Sequence, residues 1–317
     1  MQRYIIRRLL LMIPTMFGIT VVIFIMVRMV PGDIVTLMSG DYGAVSPEIR
    51  EAILKDFGLD KNWVEQYVVW AADIARLDFG TSLISGRSVG GEIWTRLPVT
   101  FELGILSILF GTAIAIPIGI ISATRQETAA DYVGRSFAIS LLAAPNFWVA
   151  IIVFTLAGRY FPWGVPPVKY VPFMEDPIGN LKMMWFPAFV LGGGLAGAVM
   201  RYTRSAMLEV LRQDYIRTAR SKGLGERTVV ARHALKNALI PVVTVIGAQI
   251  PLVVGGTVVI ETIYSLPGVA RYYFTAINTL DFPIMQGIVI VTSIVVVLSN
   301  LVVDLSYSVL DPRIRYT

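Results

Sequence analysis

Long apolar runs separated by charged segments dominate the pattern of this chain. A transmembrane helix needs about 20 mainly apolar residues, and six segments approach or exceed that length. They are residues 9–30, 98–123, 136–158, 184–200, 238–262 and 283–306. The pattern therefore predicts an all-α polytopic membrane protein with six transmembrane helices.

The first apolar run follows Arg3, Arg7 and Arg8 and could be mistaken for a secretory signal. Its apolar core, residues 9–27, is longer than the roughly 7–15 residues of a signal core, and no A-x-A cleavage site follows. We interpret the run as a retained membrane anchor.

Basic residues in the short connecting segments are concentrated on one side of the predicted membrane. Nine of them lie in residues 201–237, and others lie before the first run, in residues 124–135 and in the C-terminal tail. Because short cytosolic segments are rich in Lys and Arg, we expect both termini in the cytosol.

The segment between the first two runs, residues 31–96, predicts a small external helical region. Ser46 and Pro47 form a helix start, and Gly58 ends that helix. A second, amphipathic helix is predicted at residues 63–76. Two roles are open: the region caps the pore mouth and meets a substrate-binding protein, or it packs on the bundle and orders the chain.

Prolines and small residues within the runs predict local distortions. A proline inside a helix leaves a carbonyl without its hydrogen bond, so we expect kinks at Pro117 and at Pro145. The fifth run contains Pro241 and Pro251 and is predicted to be broken or flexible. The fourth run contains two glycines four residues apart, Gly193 and Gly197, and this spacing predicts a close contact with another helix.

Polar residues within the apolar runs are candidates for lining the pore. There are three: Asn146, Gln249 and Thr257.

The charged segment between the fourth and fifth runs has its own pattern. Nine basic residues in positions 201–236 face only three acidic ones, Glu209, Asp214 and Glu226. Residues 222–225, Lys-Gly-Leu-Gly, interrupt the helical pattern, because glycine adopts the left-handed conformation that ends helices. Apolar residues then recur at helical spacing from Val230 onward. The pattern predicts a helix, a turn and a helix at the membrane surface.

This segment, RTARSKGLGERTVVARHALKNALIP, resembles the cytoplasmic EAA loop of ABC importer permeases of the dipeptide/oligopeptide type. Ala219, Gly223 and Leu235 match the general E-A-A, Gly, I-x-L-P pattern, and the fit to the peptide-type variant is closer. The stretches RYIIRRLL, VRMVPGD and ETIYSLPGVARYY also resemble that subfamily, so the likeness covers nearly the whole chain.

The resemblance implies the type I transmembrane fold of ABC importers, with an external helical segment after the first span. We accordingly expect an N-terminal part at residues 1–95, a transmembrane domain at residues 96–307 and a cytosolic tail at residues 308–317. The resemblance also implies that the charged segment between the fourth and fifth runs docks on an ATP-binding subunit. The docking residues would be Arg217, Ala219, Arg220, Lys222, Gly223, Leu224 and Arg227. Alanine, glycine and leucine would allow close approach, and the basic groups would pair with carboxylates. Alternatively, the basic residues only set topology and hold anionic lipid.

The partners implied by the resemblance are a second homologous permease, two ABC ATPase subunits and an extracytoplasmic solute-binding protein. ATP and Mg²⁺ would be bound by the ATPase subunits. The expected location is the plasma membrane of a bacterium or archaeon. Peptides are the commonest cargo in the subfamily, and nickel chelates, glutathione-like molecules and oligosaccharides are carried by relatives.

Composition narrows the remaining classes. Hydrophobic residues make up 55% of the 317 residues and charged ones 15%, whereas soluble proteins are about one quarter charged. The net charge is +5, and the basic residues lie in the segments that flank the apolar runs. This placement indicates a membrane protein rather than a nucleic-acid-binding protein. The absence of Cys and the presence of one His exclude disulfides, thiolate metal sites and His-rich metal sites. No Walker phosphate-binding motif occurs, so ATP would bind elsewhere.

One motif suggests an enzyme. Residues 86–90 match the G-x-S-x-G nucleophile elbow, centred on Ser88. A serine hydrolase needs a base, and the one histidine, His233, is expected across a hydrocarbon layer of about 30 Å. We therefore predict no catalytic activity for this chain. A surface hydrolase and an ATP-independent channel or secondary carrier remain as alternatives.

Overall fold

The computed structural model of the protein describes residues 2–29, 48, 51, 55, 60–161, 163–164 and 169–310. Apart from one isolated bridge between Thr81 and Ser88, these residues form helices and their connections. The principal helices are α1 (Gln2–Met29), α2 (Trp63–Ala75), α3 (Val89–Thr124), α4 (Ala129–Ala143), α5 (Asn146–Tyr160), α6 (Pro177–Leu211), α7 (Asp214–Ser221), α8 (Leu235–Ile263), α9 (Val269–Asn278) and α10 (Phe282–Leu310). A helical turn, Glu226–Thr228, and a π-helical segment, Val229–Ala234, precede α8.

Five helical stretches among the described residues are long and apolar enough to cross a membrane. Helices α4 and α5 form a sixth candidate span, bent by 102° at the break between them. The predicted all-α polytopic fold with six spans is therefore confirmed, with the third span present as a bent pair.

Prolines act differently in different spans. The kink predicted at Pro145 is confirmed, since α4 ends at Ala143 and α5 begins at Asn146. Proline lacks an N–H and disfavours helical geometry in the residue before it. The fifth run, predicted to be broken or flexible, is not broken, because α8 continues through Pro241 and Pro251. Membrane helices tolerate such prolines where neighbouring groups or small backbone adjustments satisfy the freed carbonyls. Helix α3 is likewise uninterrupted at Pro117.

The chain divides into two compact units, residues 1–98 with 272–297 and residues 99–271 with 298–317. In the second unit α6 is central and packs against α4, α5 and α8. It begins at Pro177, where the Asp176 carboxylate accepts hydrogen bonds from the backbone N–H groups of Ile178 and Gly179 at 3.1 and 3.0 Å. Helix α6 continues eleven residues beyond the predicted span end at residue 200, to Leu211. Charged side chains end the apolar run there without ending the helix.

Close helix contacts in the second unit depend on glycine. A Cβ atom on Gly192 of α6 would lie 2.5 Å from the Ser107 carbonyl oxygen of α3. One on Gly197 would lie 2.8 Å from the Ala138 carbonyl oxygen of α4. At Gly193 the nearest atom would be 3.7 Å away, an ordinary contact. Of the predicted pair, Gly197 makes a close contact and Gly193 does not; Gly192, outside that pair, makes another.

In the first unit, the helix predicted at residues 63–76 is confirmed as α2, and Asn62 caps it by accepting a hydrogen bond from the Glu65 N–H at 2.9 Å. Tyr67 and Trp70 of α2 pack against Phe24 of α1. This packing favours the structural alternative for the external region. The helix predicted between Ser46 and Gly58, and residues 311–317, lie outside the described part of the chain.

Candidate functional site

Residues 214–228, which we term the coupling segment, consist of α7, a turn at residues 222–225 and the helical turn Glu226–Thr228. Two side chains on one face of α7, Ile216 and Ala219, are buried. Val229, directly after the segment, is buried as well. The segment therefore has an inner face seated on the protein and an outer face that remains exposed.

The turn has the geometry of a Schellman motif. Gly223 has a φ of +79°, in the left-handed region. Its N–H donates to the Arg220 carbonyl at 2.9 Å, and the Leu224 N–H donates to the Ala219 carbonyl at 3.4 Å. These two bonds satisfy carbonyls that the end of a helix leaves without partners. The predicted helix–turn–helix is confirmed, and glycine is required at position 223 because other side chains are strained there.

An ion pair closes the same turn. The Arg220 guanidinium donates through Nε to Glu226 Oε2 at 3.1 Å and through Nη2 to Glu226 Oε1 at 2.6 Å. These bonds raise the pKa of Arg220. Arg220 was predicted to pair with carboxylates of another subunit; in this structure its Nε and Nη2 groups donate to Glu226 of this chain. These two bonds join the two sides of the turn.

The outer face combines an apolar tip with basic side chains. Leu224 is exposed at the tip, and Arg217, Lys222 and Arg227 are exposed around it. The 3.9 Å contact between Arg217 and Asp214 joins two well-solvated groups and contributes little. Ala219 was predicted as a docking residue, but its side chain is buried against this chain. Ala219 therefore packs α7 against the protein. The outer face is formed by Arg217, Lys222, Leu224 and Arg227.

Two contacts secure the segment to the spans. Asn237 Nδ2 of α8 donates to the Tyr215 hydroxyl of α7 at 2.8 Å. On the other side, α7 follows α6 after only two residues, 212 and 213. The segment is therefore joined to both α6 and α8.

A buried carboxylate, Asp131, secures α6 near its junction with α7. Asp131, in the first turn of α4, accepts bonds from Arg204 Nε and Nη2 of α6 at 2.8 and 2.9 Å. The Ser122 hydroxyl of α3 and the Glu127 backbone N–H also donate to it. Sequence reasoning missed this cluster, because the two charged partners are 73 positions apart. An acidic residue at the start of an apolar run was the available signal.

The three candidate pore-lining residues occupy different environments. Asn146 is exposed at the first position of α5, close to Gly194 of α6, and Gln249 is half-buried. Thr257 is fully buried, and its side chain hydrogen-bonds to Glu261 one turn later. The structure thus places Thr257 inside the protein, with its hydroxyl hydrogen-bonded to Glu261.

Glu261 itself organises the turn before α9. Its carboxylate is fully buried and accepts bonds from the Thr100 hydroxyl at 2.7 Å and from the Arg271 N–H at 2.8 Å. The Thr100 oxygen also accepts a bond from the Val269 N–H at 2.9 Å. Carboxylate and hydroxyl thus satisfy the N-terminal N–H groups of α9. A Cβ atom on Gly268 would overlap the Glu261 carboxylate, which explains the glycine of the SLPG sequence.

Ser88, the centre of the G-x-S-x-G match, lies immediately before α3. Its hydroxyl accepts a long bond, 3.4 Å, from the Gly91 N–H. This is the position and bonding of a helix-capping serine.

Two family matches cover nearly the whole chain. Residues 115–316 match the binding-protein-dependent transport system inner membrane component. Residues 1–104 match the N-terminal membrane component of the same kind of system. The chain belongs to this family of transport permeases.

Relatives agree over the full length of the chain. The dipeptide transport system permease protein DppB of Escherichia coli (strain K12) is 37% identical over 340 aligned residues, covering 100% of this chain and 99% of the relative. The oligopeptide transport system permease protein AppB of Bacillus subtilis (strain 168) is 39% identical, with 100% of both covered.

Solved structures show the same fold at low sequence identity. An inward-facing structure of the MetNI methionine ABC transporter covers 69% of this chain and 96% of its own, with a TM-score of 0.56 at 14% identity. The match to the crystal structure of an amino acid ABC transporter with histidines covers 71% of this chain and 94% of that chain, with a TM-score of 0.51 at 12% identity. The chain thus has the transmembrane fold of ABC transporter permeases.

Family and fold together identify the chain as a multi-pass inner membrane permease of an ABC importer. Such a permease acts with ATPase and binding-protein partners in general. The match favours this function over an ATP-independent channel or a secondary carrier. A transport permease component is also consistent with the expectation that this chain is not an enzyme.

Proposed function

We propose that this permease translocates di- or oligopeptides, or a similar small solute, handed over by an extracytoplasmic binding protein. The support is the identity of 37–39% over the full chain to permeases named for dipeptide and oligopeptide transport. The solute reaches the cytosol by alternating access, and this chain carries out no chemical step on it.

The coupling segment is the part that docks on an ATPase subunit. The observation that carries this proposal is a rigid exposed turn with an apolar tip at Leu224 and basic groups at Arg217, Lys222 and Arg227. Such a surface fits a groove that is apolar at its base and carries carboxylates at its rim. The Schellman turn and the Arg220–Glu226 pair give it a fixed shape before docking, which lowers the ordering cost of binding.

Energy enters through the partner subunits. ATP and Mg²⁺ bind to the ATPase subunits, and the closure of these subunits displaces the coupling segment as one body. Because α7 adjoins α6 and is bonded to α8 through Tyr215 and Asn237, both spans move with it. That movement converts the outward-open pathway into the inward-open one.

The assembly contains two ATPase subunits, a second homologous permease, a binding protein and surrounding membrane lipid. The coupling segment lies in the cytosol, as do both termini, because the basic residues of the short connecting segments are concentrated on that side. The membrane is the plasma membrane of a bacterium or archaeon.

The docking proposal is tested by Gly223→Asp in the assembled complex. A side chain at a φ of +79° strains the turn and moves Leu224, so ATP hydrolysis continues while uptake falls at least tenfold. Gly225→Asp is the matched control, because Gly225 is equally open and has an ordinary φ of −62°. It adds the same charge without the strain and retains more of the uptake. Wild-type coupling in Gly223→Asp, in protein that inserts normally, would exclude the docking role.

The cargo proposal is tested separately, by uptake into vesicles that contain the wild-type complex and its binding protein. A labelled dipeptide or oligopeptide accumulates only when ATP is present inside with the ATPase subunits. Accumulation of a nickel chelate, glutathione or an oligosaccharide, without peptide uptake, would reassign the cargo and leave the docking proposal intact.

A further inference from the structure

Helix α2 carries apolar side chains both on the face that packs on α1 and at exposed positions. Tyr67 and Trp70 face α1, and the outward positions include Val64, which is 71% exposed, and Val68, which is 58% exposed. Among the exposed positions between residues 63 and 75, Glu65 is the one charged side chain. A surface helix whose outer face meets water is polar on that face. The outer face of α2 therefore suits an apolar environment.

The packed face of α2 fixes its position along α1. The Tyr67 hydroxyl lies 2.9 Å from the Thr20 hydroxyl, and its ring makes edge contacts with Phe17 and Phe24. Trp70 packs on Phe24 as well, with ring centroids 5.9 Å apart. Helix α2 thus lies against residues 17–24 of α1.

These residues belong to a candidate membrane span, Arg8–Val27. At about 1.5 Å per residue, Phe17 lies roughly 15 Å from the Val27 end, near the middle of a hydrocarbon layer of about 30 Å. Other positions of this span, on both sides of α1, are exposed and apolar, including Ile13, Val22 and Met26. Helix α2 therefore lies at a level where its neighbour faces acyl chains.

Polar residues mark both ends of α2. Asp60, Lys61 and Asn62 precede it, and Arg76 and Asp78 follow it. Its 13 residues measure about 20 Å, too short to cross the bilayer. A helix too short to span the bilayer, with polar residues at both ends and an apolar outer surface, fits a position within one leaflet.

We propose that α2 is embedded in the membrane leaflet that surrounds the C-terminal half of α1, with Val64 and Val68 against the acyl chains. The partner of this surface is lipid, because α2 packs on a candidate span that itself exposes apolar side chains at the same level, such as Val22. The helix then anchors the region after the first span to the bilayer. This proposal depends neither on the cargo nor on ATPase docking.

The cysteine-free sequence permits a direct test. Val64→Cys and Val68→Cys are each labelled with a nitroxide in the complete complex, reconstituted into lipid bilayers. Collisions of the label with oxygen, which partitions into lipid, are compared with collisions with chromium oxalate, which stays in water. Val22→Cys on the exposed side of α1 is the lipid control, and Ser85→Cys in the exposed segment before α3 is the water control.

Both α2 labels are expected to respond as the Val22 label does, with high oxygen and low chromium accessibility. High chromium accessibility, as at Ser85, would place the outer face of α2 in water and overturn the proposal. Low accessibility to both reagents would mean that protein covers this face, which overturns it equally. Retained uptake in each labelled variant shows that the measured protein is assembled.

Discussion

Two arginine–carboxylate pairs of this permease have nearly the same hydrogen-bond geometry and different surroundings. Arg204 and Asp131 meet at 2.8 and 2.9 Å, and Arg220 and Glu226 at 3.1 and 2.6 Å. The side chains are 21% and 0% exposed in the first pair, and 42% and 58% in the second. The two residues of the first pair are 73 positions apart and join α4 to α6. Those of the second pair are six positions apart and close the turn after α7.

Burial decides what each pair contributes. Removing one partner of a buried pair leaves an uncompensated charge and costs several kcal/mol, whereas an exposed pair contributes about 1 kcal/mol or less. The Asp131–Arg204 pair therefore holds the helical frame on which the coupling segment sits. The Arg220–Glu226 pair shapes the surface that we propose as the docking site for an ATPase subunit. Stability and coupling should respond separately when each is broken.

The largest effect is expected from Asp131→Asn, which leaves Arg204 without its charged partner. We expect a loss of about 2–4 kcal/mol in stability, visible as a lower thermal unfolding midpoint of the purified complex. Asp214→Asn is the control, because the Asp214 carboxylate is almost fully exposed beside Arg217. It should leave the midpoint unchanged. Equal midpoints for both variants would show that the buried pair does not hold the frame.

A second test of the frame uses the close contact between α3 and α6. Gly192→Ala places a methyl group 2.5 Å from the Ser107 carbonyl oxygen and forces the helices apart, at a cost of about 1–3 kcal/mol. Gly193→Ala, one residue later, adds the same methyl group 3.7 Å from Leu141 and should be nearly neutral. A reversed order of the two unfolding midpoints would contradict this packing.

Part of this architecture could be predicted from the sequence. Apolar runs located the spans, Pro145 located the break in the third, and Gly223 located the turn, because each acts through local geometry. The Asp131–Arg204 pair could not be predicted, since long-range contacts leave no periodic pattern. The length of α6 was underestimated because charged residues end an apolar run but not a helix.

The same limit explains the two reassigned residues of the coupling segment. Sequence alone showed a basic group at Arg220 and a small side chain at Ala219. Only the folded chain shows that Glu226 already pairs with the first and that burial removes the second from the surface.

The smallest effect on stability, with a clear effect on coupling, is expected from Arg220→Gln. Loss of this exposed pair should change stability by less than about 1 kcal/mol, while the ratio of uptake to ATP hydrolysis falls severalfold because the turn loosens. The exchange of both residues, Arg220→Glu with Glu226→Arg, restores a pair and should recover part of the coupling. A large fall in the unfolding midpoint would instead make this pair part of the frame.

The central claim is that the tip of the coupling segment contacts an ATPase subunit, and crosslinking tests it most directly. A benzophenone attached to Leu224→Cys, the one cysteine in an otherwise cysteine-free chain, is illuminated in the assembled, transport-active complex. The account predicts an adduct with an ATPase subunit, weakened by Gly223→Asp and absent from a Val64→Cys control on α2. No ATPase adduct from Leu224 in a complex that still transports would contradict it.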